Sequence, residues 1–442
     1  MAFANKMNRR DFIKTAAAGA LAMSLPARSY ARILGANDRV NFAVIGLHGR
    51  GEEHIASIAA CKNAMVTHVC DVDMRQLDKG ELKTKELFGQ SAAREKDIRS
   101  LLEKKEIDAI TIATPEHWHA PMAIMGLQAG KHVYVEKPPS HNPAEGEMLI
   151  QAQKKYGKLV QMGNQQRSSE HTIEAMEKIR AGVIGKAYFG KAWYSNNRKS
   201  IGVGKEIPTP DYLDWELWQG PAPRRPYKDN VHPYNWHWFW HWGTGETLNN
   251  ATHEIDLCLW ALDVKYPHSV SASGGRYHFK DDWEFYDTIL TSFEYDDKLI
   301  TWEGKSCNSM FYYGRGRGAT IHGTEGTLLI DRDGYEIFNN ANGKTFEYVK
   351  PEKEVSLGVT GGGPMTDAHF QNFINAIVDG EKLHAPIAEG NVSATMLHLS
   401  NIAWKLGRTL KLNPSNGHIL NDKAAMKNLW RREYERGWEP KI

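Results

Sequence analysis

Cysteine is scarce in this chain: Cys61, Cys70, Cys258 and Cys307 are the only four in 442 residues, and no two form a C-x-x-C pair. Paired thiolates of a structural zinc site or a dithiol redox centre are thereby excluded, and buried free thiols are the expected state. Long apolar runs are missing as well. The run from Thr15 to Leu25 is alanine-rich and falls short of the roughly 20 residues a bilayer span requires, so no membrane span is expected. Charge of one sign is lacking: Lys and Arg number 55 against 53 Asp and Glu. Without a basic stripe, a nucleic-acid surface is not expected. There is no internal repeat and no low-complexity tract. What is there, 41% hydrophobic and 24% charged residues, is the composition of a soluble globular protein. The length exceeds one ordinary core, so two domains are expected.

The N-terminus differs from the rest. Asn8-Arg9-Arg10-Asp11-Phe12-Ile13-Lys14 has the form of a twin-arginine export signal, followed by the short apolar run, Pro26 and small residues up to Ala31. Residues 1–31 read as a signal peptide cleaved near Ala31, which implies a periplasmic protein. Lys6, Arg9, Arg10, Lys14 and Arg28 against Asp11 give this segment +4, so the +2 of the whole chain becomes −2 without it. A small neutral molecule is the expected partner.

After the signal, strand-like and helix-like segments alternate. Val40–Gly46, Met65–Asp71, Asp108–Thr114 and His132–Val135 are short apolar runs, while Glu52–Ala60, Ala120–Ala129 and Pro143–Tyr156 have helical spacing. Such alternation predicts βαβ units, a parallel sheet and a dinucleotide-binding Rossmann domain over residues 38–162. The pattern then changes. Tyr286–Tyr295, Leu299–Gly304, Ala319–His322, Gly326–Asp331 and Tyr335–Asn339 read as strands, the last two joined by a hairpin turn at Arg332-Asp333-Gly334. Helices are expected over Thr366–Val378 and Ala388–Leu406, and a long ordered loop between Asn196 and Asn235. Residues 163–442 thus form a second α/β domain, built on strands joined by short turns.

Gly46-Leu47-His48-Gly49-Arg50-Gly51 stands between the first strand and the first helix. Glycines there let backbone N–H groups approach a pyrophosphate at a helix N-terminus, although His48 occupies the second glycine position of G-x-G-x-x-G. Asp71 lies 20 residues beyond Gly51, at the end of the next apolar run. An acid there accepts hydrogen bonds from a ribose 2′-OH and repels a 2′-phosphate, which favours NAD over NADP, with Arg75 nearby tempering the preference.

Three further motifs follow in order: Thr114-Pro115-Glu116-His117-Trp118-His119, then Gly130-Lys131-His132-Val133-Tyr134-Val135-Glu136-Lys137-Pro138, then Gly245 to Asp256 with Asn249 and His253. With these the chain resembles the glucose–fructose oxidoreductase / inositol dehydrogenase / MocA family, whose T-P-x-x-x-H, G-K-H-V-x-x-E-K-P and D-x-G-x-H-x-x-D elements stand in this order. The resemblance covers roughly residues 40–330. It implies a Rossmann parallel sheet followed by an α/β domain with an open, mostly antiparallel sheet, which in that family often supports homo-dimers or tetramers. It also places Lys137 beside the nicotinamide, with Thr114, Pro115, His119 and Glu136 around the cofactor. Oxidising a carbinol needs the hydroxyl proton removed, and a partly desolvated lysine beside an oxidised nicotinamide has the depressed pKa for it. His253 matches the family's second acid–base or substrate-orienting residue. Asn249 departs from the Asp common in the family; an amide takes no proton, so it is expected to bind a substrate hydroxyl. His253-Glu254 begins like H-E-x-x-H, but Leu257 stands where the second histidine belongs, so no zinc helix and no metal is expected.

Two more groups are candidates for sugar contact. Arg167, in Asn164-Gln165-Gln166-Arg167, suits hydroxyls and phosphates. Trp238 and Trp240, in Trp236-His237-Trp238-Phe239-Trp240-His241-Trp242, offer aromatic faces to a pyranose ring. Together these features imply an exported NAD-dependent oxidoreductase acting on a secondary alcohol of a sugar or glycoside. Twin-arginine export carries folded protein, so cofactor can be loaded beforehand, retained, and recycled by a second substrate. The alternative is an NAD-dependent glycoside hydrolase or lyase that oxidises the sugar transiently and eliminates its substituent; such relatives commonly lack the E-K-P lysine.

Overall fold

Short apolar runs that end in glycine or an acid build the first sheet. The computed structural model describes residues 39–350 and 363–442, and the export signal at 1–31 lies outside them. Strands β1 (Val40–Ile45), β2 (Ala64–Cys70), β3 (Ala93–Glu95), β4 (Ala109–Ile112), β5 (His132–Val135) and β6 (Val160–Met162) pair in the order β3-β2-β1-β4-β5-β6, every pairing parallel. This doubly wound order places the C-terminal ends of β1 and β4 together at a switch point, where ligands of such sheets bind. The strands are buried on both faces and therefore show no alternation in the sequence.

The helix expected from Ala120 begins at Glu116 instead. Pro115 caps it and Glu116 sits in its first turn, where a carboxylate suits the helix dipole. The T-P-E-H-W-H motif is thus a strand end, a turn and the first helical residues. Nearly all of this helix is buried, so it carries no amphipathic signal from which its start could be read.

Nine strands form the second sheet: β7 (Ala187–Ser195), β8 (Ser269–Gly275), β9 (Thr288–Glu294), β10 (Leu299–Lys305), β11 (Arg317–Gly323), β12 (Gly326–Asp331), β13 (Gly334–Asn339), β14 (Thr345–Val349) and β15 (Leu410–Lys411), in the order β14-β13-β12-β11-β7-β10-β9-β8-β15. All pairs are antiparallel except β7 with β10. Strand β9 buries Ile289, Thr291 and Phe293 and exposes Leu290, the alternation of a sheet covered on one face. Helices Thr252–Leu262 and Ile387–Leu406 supply that cover, with Ile255, Leu259, Met396 and Leu399 in the shared core.

The chain then returns to the first sheet. Phe370 and Phe373, on the helix Pro364–Val378, enter the core beneath β1, and Phe370 stacks on Tyr134 with ring centroids 4.3 Å apart. The expected loop of residues 196–235 contains a short helix, Trp215–Gln219, and with the residues that follow it, up to Trp242, builds an aromatic core of Trp215, Trp218, Trp236 and Trp242. It is fastened to the Rossmann half by backbone bonds from Met74 N–H to Tyr212 O (2.9 Å), Asp214 N–H to Val72 O (3.0 Å) and His117 N–H to Trp242 O (3.2 Å). All four cysteines are free; three are buried and Cys61 is partly exposed. Among the described residues no helix is long and apolar enough to cross a membrane.

Candidate active site

A cavity of about 620 Å³ opens between the two halves. At one end stands the turn after β1. Gly46 has φ of 81°, and a Cβ there would meet Ala113 C at 2.7 Å; a Cβ on Gly51 would meet the Gly46 carbonyl oxygen at 1.8 Å. Both positions therefore exclude any side chain, whereas His48 is exposed at the rim, which is how this turn tolerates it. No side chain caps the helix Arg50–Ala60 at Gly49, so its first amides stay available to an anion. Asp71 accepts the Leu47 N–H at 2.7 Å and the Asp73 N–H at 2.8 Å, and burial pushes its pKa up to about 6. It thus ties the glycine turn to the end of β2 while still lining the cavity. Gly46, Gly49, the uncapped amides and Asp71 make a donor and acceptor set that fits a dinucleotide.

At the other end, β5 delivers Glu136 and Lys137. Glu136 is buried, and burial alone would raise its pKa. Arg50 Nε at 2.7 Å and His54 Nε2 at 3.1 Å outweigh that and hold it well below the usual carboxylate range. Gln165 Nε2 donates to the same oxygen at 3.0 Å. Glu136 is therefore the buried anchor of the strand end. His119 joins the segments that follow β4 and β5, with Nδ1 2.6 Å from Pro138 O and Nε2 2.8 Å from Thr114 O. Thr114 and Pro115 line the cavity beside it.

Lys137 Nζ donates to the backbone carbonyl of Asn249 and, at 3.0 Å, to its Oδ1. Burial pushes the lysine pKa down, against the pull of Glu136 and Glu116. Asn249 lies in a single π-helical turn, Thr247–Ala251, leading into the helix that carries His253. A wide turn of this kind re-aims the side chains at a functional site. His253 Nδ1 is 2.9 Å from Asn164 Oδ1, its one side-chain hydrogen bond among the described residues, and burial followed by Arg332 and Lys137 pushes its pKa well down. The ring is thus neutral and lines the cavity.

Residues 40–164 match the oxidoreductase family with an NAD-binding Rossmann fold, and residues 186–439 match the same family's C-terminal α/β domain. The chain belongs to the Gfo/Idh/MocA oxidoreductase family. Residues 6–26 match a twin-arginine translocation signal, which directs export across the cytoplasmic membrane. Among curated relatives, a glycosyl hydrolase family 109 protein of Shewanella pealeana is 28% identical over 210 residues, 43% of this chain and 46% of that protein. One from Saccharopolyspora erythraea is 26% identical over 171 residues, 38% of this chain and 37% of that one. The chain thus matches less than half the length of these relatives. Of solved structures, the WlbA dehydrogenase of Bordetella pertussis with NADH and UDP-GlcNAcA shares the fold at 20% identity and TM-score 0.62, over 85% of this chain and 99% of that one. A levoglucosan dehydrogenase with NADH and levoglucosan does so at 18% and 0.66, over 84% and 99%.

Within this Gfo/Idh/MocA fold, three sugar-contact expectations are corrected. Arg167 is not at the cavity. It is buried, with Nε 2.6 Å from Asp256 Oδ2 and Nη1 on Glu389, so its charge is spent holding helix Thr252–Leu262 to helix Ile387–Leu406. Trp238 is 1% exposed and stacks on Trp283 at 4.0 Å in the core, and half-buried Trp240 stacks on Phe285 at 4.0 Å at its edge; neither lines the cavity. Their neighbour Trp236, with Trp118 and Trp218, lines the cavity. Asn249 lines it too, but its Oδ1 is engaged by Lys137. Glu116, of the T-P-E-H-W-H motif, also lines the cavity. It is buried, with Oε1 unpartnered and Oε2 accepting from Thr244 Oγ1, and burial raises its pKa while Lys137 nearby lowers it. Arg332, read as a turn residue, also lines the cavity. Among the described residues no cluster of His, Cys, Asp and Glu could hold a metal ion.

Proposed function

We propose that this chain is an exported, periplasmic oxidoreductase that oxidises and reduces a secondary alcohol of a sugar or glycoside, using NAD that it retains and recycles. The observation that carries this reading is Lys137: a buried ammonium at the end of β5, steered by Asn249, with its charge disfavoured by burial, at a cavity shared with neutral His253. When bound, NAD supplies the hydride acceptor and donor. Lys137 takes the proton from the reacting hydroxyl as it ionises and returns it in the reverse direction. His253, held by Asn164, orients the same hydroxyl or a neighbouring one. Arg75 is ion-paired with Asp73 at 2.7 Å, which leaves it engaged away from a 2′-phosphate and favours NAD over NADP.

Retention finds support in the segment pinned across the cleft. Leu217, Trp218, His232 and Trp236 line the cavity opposite Asp71 and Asp97, and the backbone bonds at Tyr212, Asp214 and Trp242 fasten that wall to the Rossmann half. A dinucleotide bound beneath it leaves only when those contacts open. A homo-oligomer formed through the open sheet fits the same family. The second reading, redox-neutral glycoside cleavage, is favoured by the glycosyl hydrolase names of the curated relatives.

One experiment separates the two. The purified protein is denatured to identify its dinucleotide, and the intact protein is offered sugars and glycosides while reduced-nicotinamide absorbance is followed. Reduction that persists until a keto-sugar is added is the expected result. Release of aglycone without net reduction selects the second reading. Absence of any dinucleotide and of any redox change sinks both.

A further inference from the structure

Ion pairs neutralise the cationic wall around Lys137 almost completely. Arg50 pairs with Glu136 at 2.7 Å, Arg198 with Glu246 at 2.5 Å, and Arg317 with Glu254 through two bonds of 2.7 and 3.0 Å. Each pair is assembled from separate parts of the chain. Arg332 is the exception. It projects from the β12–β13 turn to the cavity, forms no ion pair among the described residues, and its Nε is buried without a hydrogen-bond partner. Across the same cavity stands Gln166, 3% exposed, whose Oε1 and Nε2 are both buried and unpartnered. Buried polar groups are ordinarily paired, and two such orphans lining one cavity point to a ligand that completes them.

The chemistry of that ligand follows from the groups left open. Arg332 offers a positive charge on which Glu254 pulls without forming an ion pair, and a planar fork of N–H donors suited to a planar anion. Gln166 offers one donor and one acceptor, suited to an anion's oxygen and an adjacent hydroxyl. Burial, then the neighbouring Arg317 guanidinium, push the Arg332 pKa down to about 9, so an anion there restores a charge that the protein alone disfavours. A single carboxylate balances the one arginine of this wall without an ion pair among the described residues, whereas a phosphate dianion leaves one negative charge over in a largely desolvated wall. We propose that Arg332 and Gln166 bind a carboxylate on the substrate, so that the sugar oxidised here is a sugar acid such as a uronate or its glycoside, and not the neutral molecule that the overall charge balance suggests. This rests on the reading of the cavity as a sugar-alcohol site.

The test uses the intact protein with its bound dinucleotide. D-glucuronate, D-glucose and D-glucose 6-phosphate are titrated while tryptophan fluorescence and melting temperature are recorded, and turnover is followed with the same three compounds. Glucuronate is expected to bind at least about 10-fold more tightly than either of the others. In the Arg332→Gln variant that preference should vanish, with kcat/KM for glucuronate falling about 100-fold, and Arg332→Lys should recover part of it because the charge returns without the fork. Melting temperature and dinucleotide content establish that the variants are folded and loaded. Equal or tighter binding of glucose, or tighter binding of the phosphate, overturns the proposal. So does loss of the dinucleotide from folded Arg332→Gln, which assigns the arginine to the cofactor. Arg332-dependent glucuronate binding without any redox change sinks the proposed function and with it the oxidation of a sugar acid, and leaves standing only Arg332 and Gln166 as a carboxylate site.

Discussion

Lys137 Nζ lies 3.0 Å from Asn249 Oδ1, so the residue that departs from the family's usual aspartate is the one that steers the Lys137 ammonium. An amide oxygen accepts the hydrogen bond without adding a negative charge. Asn249→Asp places a carboxylate in the same contact, favours the charged lysine and raises its pKa. Oxidation of the alcohol needs the free amine. The variant's kcat/KM against pH should therefore rise at a more alkaline pH than the wild type's, with little change in the alkaline plateau. An unshifted profile removes Asn249 from contact with the lysine in the working enzyme.

Lys137→Ala removes the proposed proton acceptor at the reacting end while leaving the glycine turn and Asp71 intact. General-base catalysis contributes about 100- to 10,000-fold, so kcat should fall by that order while bound dinucleotide stays at the wild-type amount. Turnover within a few-fold of wild type, measured on protein of verified cofactor content, removes the lysine from the chemistry.

Glu116 bears on the same titration from the other side. Burial raises the pKa of this carboxyl and lowers that of Lys137, and the attraction between their charged forms opposes both shifts. Two groups so linked lose protons as a pair. Glu116→Gln deletes a negative charge that favours the ammonium, so the lysine gives up its proton at lower pH. The rising limb of kcat/KM should move in the acid direction, opposite to its movement in Asn249→Asp. Opposite signs from two substitutions on either side of Lys137 exclude a merely structural effect of either.

What the sequence discloses of this site follows from how each residue is packed. Lys137, His253, Asp71 and the glycine turn occupy strand ends and helix starts, where the backbone alone dictates position, and motif spacing locates them. Arg167 and Trp238 have the residue types of sugar ligands, but type does not encode direction. Asp256 and Glu389 draw the arginine into the inter-helix contact, and Trp283 draws the indole into the core. Arg332 is invisible for the converse reason. Its turn is an ordinary hairpin by sequence, and only the pairing of β12 with β11, and of β11 with β7, carries it to the cavity. Strands β7 and β8 escape notice because Gly190, Gly274 and Gly275 break their apolar alternation; a Cβ on Gly190 would stand 3.0 Å from Cys258 Sγ, so the helix above requires that glycine.

Asp214 tests whether the pinned segment holds the cofactor. Its carboxylate caps the helix Trp215–Gln219 by accepting the Leu217 N–H at 2.9 Å and pairs with Lys96 at 2.6 Å. The ion pair is largely solvent-exposed and adds little. Loss of the cap costs about 1 kcal/mol, so Asp214→Ala should release bound dinucleotide about 5-fold faster during gel filtration or charcoal treatment. The substrate KM of the reloaded enzyme should not change. Unaltered release assigns retention to contacts within the Rossmann half alone.

Arg167 supplies the last discriminating case, because sequence and structure give it different work. Asp256 ends the family's D-x-G-x-H-x-x-D element, and its carboxylate accepts from Arg167 Nε at 2.6 Å, from Arg167 Nη2 at 3.0 Å and from Ser393 Oγ at 2.7 Å. Removing one partner of a buried pair strands the other charge and costs about 3–5 kcal/mol. Arg167→Met should lower unfolding stability by that amount in denaturant titration and leave KM within about two-fold, since the side chain is outside the cavity. Arg167→Met combined with Asp256→Asn removes both charges, and should recover part of the loss because no buried carboxylate is left unpaired. A sugar-binding arginine behaves in the opposite way: KM rises steeply, stability holds, and the second substitution restores nothing.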